Sequence, residues 1–407
     1  MPQRIMIIVE SYIRWNFFNR MQKAMDQLGV RLCYFTSCPS VYFSAKKAGA
    51  NVKMLALNNA AFNGPIEPGC YENTVDVRSG ELSRESAEKV ARIIYANLLA
   101  ANKSINADTL YIYNGTSILG SAATQFARDH GLKTLYFELA NLPGKMFVDP
   151  EGTGGFSHLY RNTSILKNYT CDLNEFERWR QSFIVDRLKN SNVPQAVFGK
   201  SSLQDYLVYA GDKLYFALFT KEPAKYILKY WDKFNQAFSK RIDLAYDSFA
   251  SFGHTSYIFF PMQVRHDSQI LIHSDLDNLA AIEKAHALSR EIGARLVVKP
   301  HPAETDRGYL GKIYDLKRQL GFYLTSDNTI KLIQNAQFIV TINSTVGLEA
   351  KIMGKDVYVL GRAIYTNFDE GMLANYVMKY LLNINYFSRN PISTDTVRLL
   401  LERADVC

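Results

Sequence analysis

Apolar runs of strand length alternate with helix-patterned segments twice along this 407-residue chain, and a stretch without that alternation separates the two series. RIMIIVES, VRLCYFTS, NVKMLAL, TLYIYNG and KTLYFEL are the strand-like runs of the first series. Between them lie NRMQKAMDQLG, SVYFSAKKAG, the charged amphipathic ELSRESAEKVARIIYANLLAANK and SILGSAATQFARDHG. Gly29, Gly49 and Gly131 stand where helices are expected to stop. The second series opens at SYIFFPMQV and SQILIHS. It continues through NLAAIEKAHALSREIG, RLVVKPHP, YLGKIYDLKRQLG, FYLTS, TIKLIQNA, QFIVTIN and STVGLEAKIMG to DVYVLGR. Parallel strands need a crossover long enough to hold a helix, so this alternation predicts parallel sheets with right-handed crossovers. Two series predict two α/β domains, with ligands bound beyond the carboxyl ends of the strands, in a cleft between the domains. The intervening text, as in KLYFALFTKEPAKYILKYWDKF, reads as a helical, aromatic and basic insertion. The expected domains are residues 1–171, a helical segment 172–255, a second α/β domain 256–371, and C-terminal helices 372–407.

With 47% hydrophobic and 21% charged residues, the chain has the balance of a globular protein rather than a disordered one. No apolar stretch reaches the ~18 residues of a spanning helix. The first apolar run ends at Glu10, too early for a signal-peptide core, so a cytoplasmic location is expected. The five cysteines are odd in number and lack metal spacing, in keeping with reduced thiols. A net charge of +8 favours anionic partners: nucleotide sugars, phospholipid surfaces or nucleic acid. The basic residues are spread through alternating helices without a reading module, so no nucleic-acid partner is expected. The chain lacks GxGxxG after its first strand, a Walker A motif, HExxH and a DxD pair in a loop. Neither a dinucleotide cofactor nor a catalytic metal is therefore expected.

Polar residues just after strands are the candidates for chemistry. Lys299 and His301 in KPHP follow RLVV, and the two prolines fix the backbone around the histidine. They can bind a phosphate, or they can belong to a rigid turn. Asn343, Ser344 and Thr345 precede a helix whose free N–H groups favour an anion; an ordinary N-cap is the alternative. Glu349, one turn further, can hold ribose hydroxyls or stand exposed on the helix. After YIFFPM come Gln263, Arg265, His266 and Asp267. Asp267 can serve as nucleophile or base, and Arg265 or His266 can face an acidic sugar; the alternative is a polar loop. Glu138 ends KTLYFEL and begins a long loop with Gly144, Gly152, Gly154 and Gly155, of the kind that often forms mobile active-site loops. It can act as acid or base, with Asp267 across the cleft, or it can be a capping or salt-bridged glutamate. Arg14, after the first strand, and Asn114, after TLYIY, can meet the acceptor or a sugar carboxylate, or can be part of ordinary caps. Lys225, Lys229 and Lys233 repeat every four residues beside Lys221 and Trp231. They form either a face for peripheral docking on an anionic membrane or a solvated helix face.

Together, FELANLPGKMFVDPEGTG, PMQVRHDSQI, VVKPHP and TINSTVGLEAKIMGKDVYVLG resemble the bacterial capsule and lipopolysaccharide β-Kdo transferases. The resemblance implies a GT-B fold of two Rossmann-like domains, an N-terminal acceptor-side domain and a C-terminal domain that binds the CMP-sugar. It implies a retaining glycosyltransferase that uses CMP-Kdo and no metal, with a saccharide or lipid-linked acceptor of surface-polysaccharide synthesis. By the same resemblance, Lys299 and His301 hold the CMP phosphate with Ser344 and Thr345. Asp267 matches the aspartate of a Gln-x-x-x-Asp motif and becomes the nucleophile; Glu138 becomes the acid/base. The chain departs from the family pattern at Leu139-Ala140, where Asn-Gly is usual, and at Gly152-Thr153-Gly154, where Gly-Val-Asn is usual. Three other readings are a transferase of a different CMP-linked acid (sialic or pseudaminic), a UDP-sugar enzyme of GT-B type, and a non-catalytic binding protein of the pathway.

Overall fold

A computed structural model describes residues 3–55, 62–140, 142–189, 208, 210–212, 214, 215 and 245–405. Two compact units emerge. Met1–Arg161 and Leu381–Cys407 contribute to one, and residues 162–189 and 245–380 to the other.

The first unit is built on a six-stranded sheet of β1 (Arg4–Ile8), β2 (Arg31–Thr36), β3 (Val52–Met54), β4 (Thr109–Tyr113), β5 (Lys133–Leu139) and β6 (Met146–Asp149). Their order is β3-β2-β1-β4-β5-β6, parallel apart from the antiparallel β5–β6 pair. RIMII reads as an unbroken apolar run because both faces of its strand are covered. Ile5 and Ile7 enter one buried cluster with Tyr34, Tyr111 and Phe137, while Met6 and Ile8 enter another with Phe35, Leu110 and Ile112. The final helix, Thr394–Ala404, puts Val397, Leu400 and Ala404 into the first cluster. Arg20 ties down the segment before it by donating to the carbonyls of Asn390 (2.7 Å) and Asn385 (2.8 Å).

The second unit holds β7 (Tyr257–Pro261), β8 (Arg295–Lys299), β9 (Tyr323–Leu324), β10 (Ile339–Thr341) and β11 (Val357–Val359), all parallel, in the order β11-β10-β7-β8-β9. The two-faced burial recurs: Ile258 and Phe260 enter one cluster, Tyr257 and Phe259 the other. The two parallel α/β sheets agree with the fold class expected from the alternation. Each chain path reverses direction once, between β1 and β4 in the first sheet and between β7 and β10 in the second. At such a switch point the flanking loops diverge and leave a crevice for a ligand.

The stretch after Glu138 is more ordered than a long glycine-rich loop. Met146–Asp149 forms β6, with Glu138 opposite Phe147, and Gly144 makes the turn at φ 67°. Within the helical middle, Leu173–Lys189 is a helix. Lys221, Lys225, Lys229, Trp231 and Lys233, the expected membrane-docking face, lie outside the described residues.

Candidate functional site

In the second unit, the loops after β10, β7 and β8 stand side by side, because those three strands are neighbours. They carry Ser344 and Thr345, Gln263 to Asp267, and Lys299 and His301. The nine candidate residues of this unit therefore gather at one sheet edge. Arg14, Asn114 and Glu138 are placed on the first unit.

Lys299 ends β8, half-buried. Its Nζ donates to the Asp327 carbonyl (2.6 Å) and to Thr329 Oγ1 (2.8 Å), two of its three N–H bonds. Burial pushes the ammonium below its ordinary value; nearby Asp327 opposes this and Arg187 adds to it. His301 Nδ1 accepts from the Ala303 N–H at 3.1 Å. That bond puts the neutral ring's proton on Nε2, which becomes a donor. Burial lowers the His301 pKa although the Asp267 and Glu304 carboxylates pull it upward. Asp267 is thus close enough to act on the imidazole.

Ser344 caps the helix Thr345–Ile352, its Oγ accepting from the Val346 N–H at 3.1 Å. Thr345 is the first residue of that helix, where N–H groups point out of the end. Tyr365 fixes this start by donating from its hydroxyl to the Ser344 carbonyl. Gly347 permits it, since a Cβ there would run into the Tyr365 hydroxyl and lie 2.9 Å from Thr341 Cγ2. Gly347→Ala is therefore expected to destabilise the protein by about 1–3 kcal/mol through overpacking, in spite of alanine's better helix propensity. Thermal unfolding of the variant measures this, with Tyr365→Phe expected to lose about 1 kcal/mol for the missing hydrogen bond alone.

The structure commits several candidates to holding the loops. Gln263 Nε2 donates to Asn343 Oδ1 (2.9 Å), and its Oε1 accepts from the Asn343 N–H (3.2 Å). Asn343 then spends Nδ2 on the carbonyls of Gln269 (2.7 Å) and His273 (3.1 Å). This pair joins the two loops at the switch point, so Gln263 positions the site through its amide. Arg265 is engaged by Asp306 (2.5 Å) and lies 4.8 Å over the Tyr309 ring, with Glu304 at 3.6 Å. Its charge is matched by this acidic pair. His266 and Asp267 are exposed. Asp267 is also the N-cap of Ser268–Leu271, its Oδ1 accepting from the Gln269 N–H at 2.9 Å. Glu349 is buried rather than on an exposed helix face, and pairs with Arg187 of the helix Leu173–Lys189. The sequence reading missed Arg187, because its helix lies in the segment without alternation.

In the first unit, the strand ends on either side of the β1/β4 switch point carry a second polar group. Asn114 adopts a left-handed conformation (φ 65°), which asparagine tolerates better than most residues. Its Nδ2 donates to Glu138 Oε1 at 2.7 Å, and its Oδ1 accepts from the Thr116 hydroxyl. Both ends of the amide are used, and Glu138 is held at the end of β5. Arg14 ion-pairs with Glu10 and lies 4.5 Å over the Tyr113 ring. Glu10 also accepts from Ser117, the cap of the helix Ile118–Asp129. Tyr386, from the C-terminal segment, packs 5.6 Å from Tyr113.

Residues 218–371 match the family model described as capsule polysaccharide biosynthesis protein. Over 113 residues the chain is 35% identical to protein FixF of Sinorhizobium fredii, covering 27% of each. Over 122 residues it is 34% identical to the capsule polysaccharide export protein KpsS of Escherichia coli, covering 27% of this chain and 31% of that protein. The chain thus spans less than a third of the length of either curated relative. A solved structure, the beta Kdo 2,7 transferase KpsC of Thermosulfurimonas dismutans, is similar over 99% of both chains at 12% identity, with a TM-score of 0.40. The family match takes in Gln263 to Asp267, Lys299, His301, Ser344, Thr345 and Glu349, and it leaves out Arg14, Asn114, Glu138 and Arg187. Over the segment 218–371, with the strand-end residues of the second unit, the chain is similar to the capsule polysaccharide biosynthesis proteins.

Proposed function

We propose that the chain is a retaining glycosyltransferase of surface-polysaccharide synthesis, moving Kdo from CMP-Kdo to a saccharide or lipid-linked acceptor without a metal. The observation that carries this reading is the donor set at the carboxyl ends of β8 and β10. Among the described residues Lys299 keeps one N–H beyond its two protein bonds, His301 offers Nε2–H, and the helix start adds the backbone N–H of Thr345, the N–H groups of Ser344 and Val346 being donated to Thr341 Oγ1 and Ser344 Oγ. These are the groups a departing phosphate needs, and preorganised donors aimed at developing charge are commonly the largest catalytic term. The match to a capsule polysaccharide biosynthesis family over the same residues supports the pathway. In the proposed reaction, Asp267 forms a bond to the anomeric carbon as the bond from that carbon to the phosphate oxygen of CMP breaks. CMP leaves with the electron pair. The acceptor hydroxyl then displaces Asp267, and Glu138 takes its proton; two displacements retain configuration.

No described helix is long and apolar enough to cross a membrane. The proposed place of work is the cytoplasm, with peripheral contact at the inner face of the inner membrane.

Calorimetric titration with CMP tests the nucleotide site. His301→Ala is expected to weaken CMP binding about 10- to 100-fold, the range for one lost charge-assisted hydrogen bond. Unchanged affinity would remove His301 from the site. Stronger binding of UDP than of CMP by the parent protein would favour the UDP-sugar reading. Release of CMP from a panel of CMP-linked acids separates Kdo from sialic and pseudaminic acids.

A further inference from the structure

Thr153 lies in the loop after β6 and is 1% exposed. The Asp149 carboxylate builds that loop, its Oδ1 accepting from the N–H groups of Glu151 (2.9 Å), Gly152 (3.3 Å) and His158 (2.8 Å). The loop delivers the Thr153 hydroxyl to the Asn114 carbonyl, 39 positions away in sequence, where it donates at 2.9 Å. That carbonyl belongs to the peptide between Asn114 and Gly115, two left-handed residues with φ 65° and 84°. Glycine accepts many backbone conformations, so the plane of this peptide is the soft point of the turn. The remainder of Asn114 is pinned: its N–H donates to the Phe137 carbonyl at 2.8 Å, and its Oδ1 accepts from the Thr116 hydroxyl. Between these anchors Asn114 Nδ2 is aimed at Glu138 Oε1, 2.7 Å away. Thr153 therefore reaches Glu138 through two hydrogen bonds and one intervening residue.

We infer that Thr153 is a positioning residue for the second displacement: by holding the Asn114–Gly115 peptide it keeps the Asn114 amide on Glu138 and fixes the direction of that carboxylate. This rests on the reading of Glu138 as acid/base. In that step the acceptor oxygen bonds to the anomeric carbon, and the bond from that carbon to Asp267 breaks with its electron pair returning to the carboxylate. The acceptor proton passes to Glu138. A base must stand within hydrogen-bond reach of the proton it takes, so a tilted carboxylate slows this step. The first displacement releases CMP without a proton transfer to Glu138 and is indifferent to Thr153.

The test is the kinetics of CMP release from CMP-Kdo by the full chain, with water as the acceptor, for the parent, Thr153→Val, Thr153→Ser and Asn114→Gly. Valine has the shape of threonine and lacks the hydroxyl. Thr153→Val is expected to lower kcat about 10- to 100-fold. Its kcat/KM reports only the steps up to the departure of CMP and is expected to stay at the parent's value. A burst of CMP, stoichiometric with the protein, should precede the slow turnover. Thr153→Ser keeps the O–H donor and is expected to turn over within about threefold of the parent. Asn114→Gly tolerates the left-handed conformation and removes the amide. It is expected to lower kcat at least as much, and adding Thr153→Val to it should cost nothing further, because the two act as one unit. Where Thr153→Val does not fold, Thr153→Ala is compared with Thr153→Ser in its place. A merely structural role would lower kcat and kcat/KM together and abolish the burst. That result, parental turnover in Thr153→Val, an equal loss in Thr153→Ser, or additive losses in the double variant overturns the inference alone. A parent that releases no CMP from CMP-Kdo overturns the transferase reading as well.

Discussion

Asp267→Asn is expected to abolish sugar transfer while the fold and CMP binding survive. Asp267 caps the helix Ser268–Leu271 from an extended conformation (φ −74°, ψ 145°), with its Oδ1 on the Gln269 N–H. Asparagine caps helices as well as aspartate does, so the local structure has no reason to change. The side chain is exposed, and its replacement leaves no cavity. What disappears is the negative charge and the nucleophilic oxygen. Single-residue losses of this kind reduce turnover on the order of 10³-fold or more. The effect on the neighbouring histidine has a definite sign. The Asp267 carboxylate raises the His301 pKa, so removing it lowers that pKa further and keeps the ring neutral. The Nε2–H donor therefore remains, and CMP affinity with it. Assays of CMP release from CMP-Kdo, alongside CMP calorimetry and thermal unfolding, separate these effects. Full turnover in the variant would reduce Asp267 to a cap and eliminate the proposed displacement. A variant that fails in transfer yet sustains polysaccharide output in cells would instead favour a non-catalytic role.

The strand-end positions were legible because a parallel α/β sheet announces itself twice, in alternation and in apolar runs buried on both faces. Lys299, His301, Ser344 and Asp267 could be singled out because each follows such a run directly. What each side chain is bound to was not legible. Gln263 and Asn343 are 80 positions apart and meet only because β10 lies beside β7, which no local pattern encodes. Arg265 reads as a free cation in sequence, but Asp306 and Glu304 lie in the loop after the neighbouring strand. Arg187 sits on a helix without a clear amphipathic signature, so its pairing with Glu349 carried no sequence signal. β6 was hidden by its length, four residues between Gly144 and Pro150 in glycine-rich text. Likewise, nothing local in the Thr394–Ala404 sequence says that its apolar face completes the first unit's core rather than the second's.

Asp149→Ala is expected to cause the largest stability loss of the substitutions considered. Asp149 ends β6 with no solvent exposure. Its Oδ1 accepts from the N–H groups of His158 (2.8 Å), Glu151 (2.9 Å) and Gly152 (3.3 Å), and its Oδ2 from Leu159 (3.1 Å). One carboxylate thus folds the whole segment from Pro150 to Leu159 around itself. Gly152 lets the segment close, since a Cβ there would lie 2.8 Å from Phe156 Cβ. Alanine leaves four backbone donors without this acceptor, two of them on the buried residues Gly152 and Leu159. Hydrogen bonds to a charged acceptor are worth about 1.5–3 kcal/mol each but do not add, so the expected loss is about 3–5 kcal/mol. That corresponds to a fall in Tm of about 10 °C, read by calorimetry. Asp149→Asn keeps one acceptor oxygen and is expected to fall between the parent and alanine. The same change should reach the candidate acid/base. Phe147, two residues before Asp149, pairs with Glu138 across β5 and β6. A loosened β6 would let the Glu138 backbone drift relative to Asn114, which holds its carboxylate. Turnover should therefore fall in Asp149→Ala even at temperatures where the protein stays folded, and CMP affinity, set in the other unit, should not.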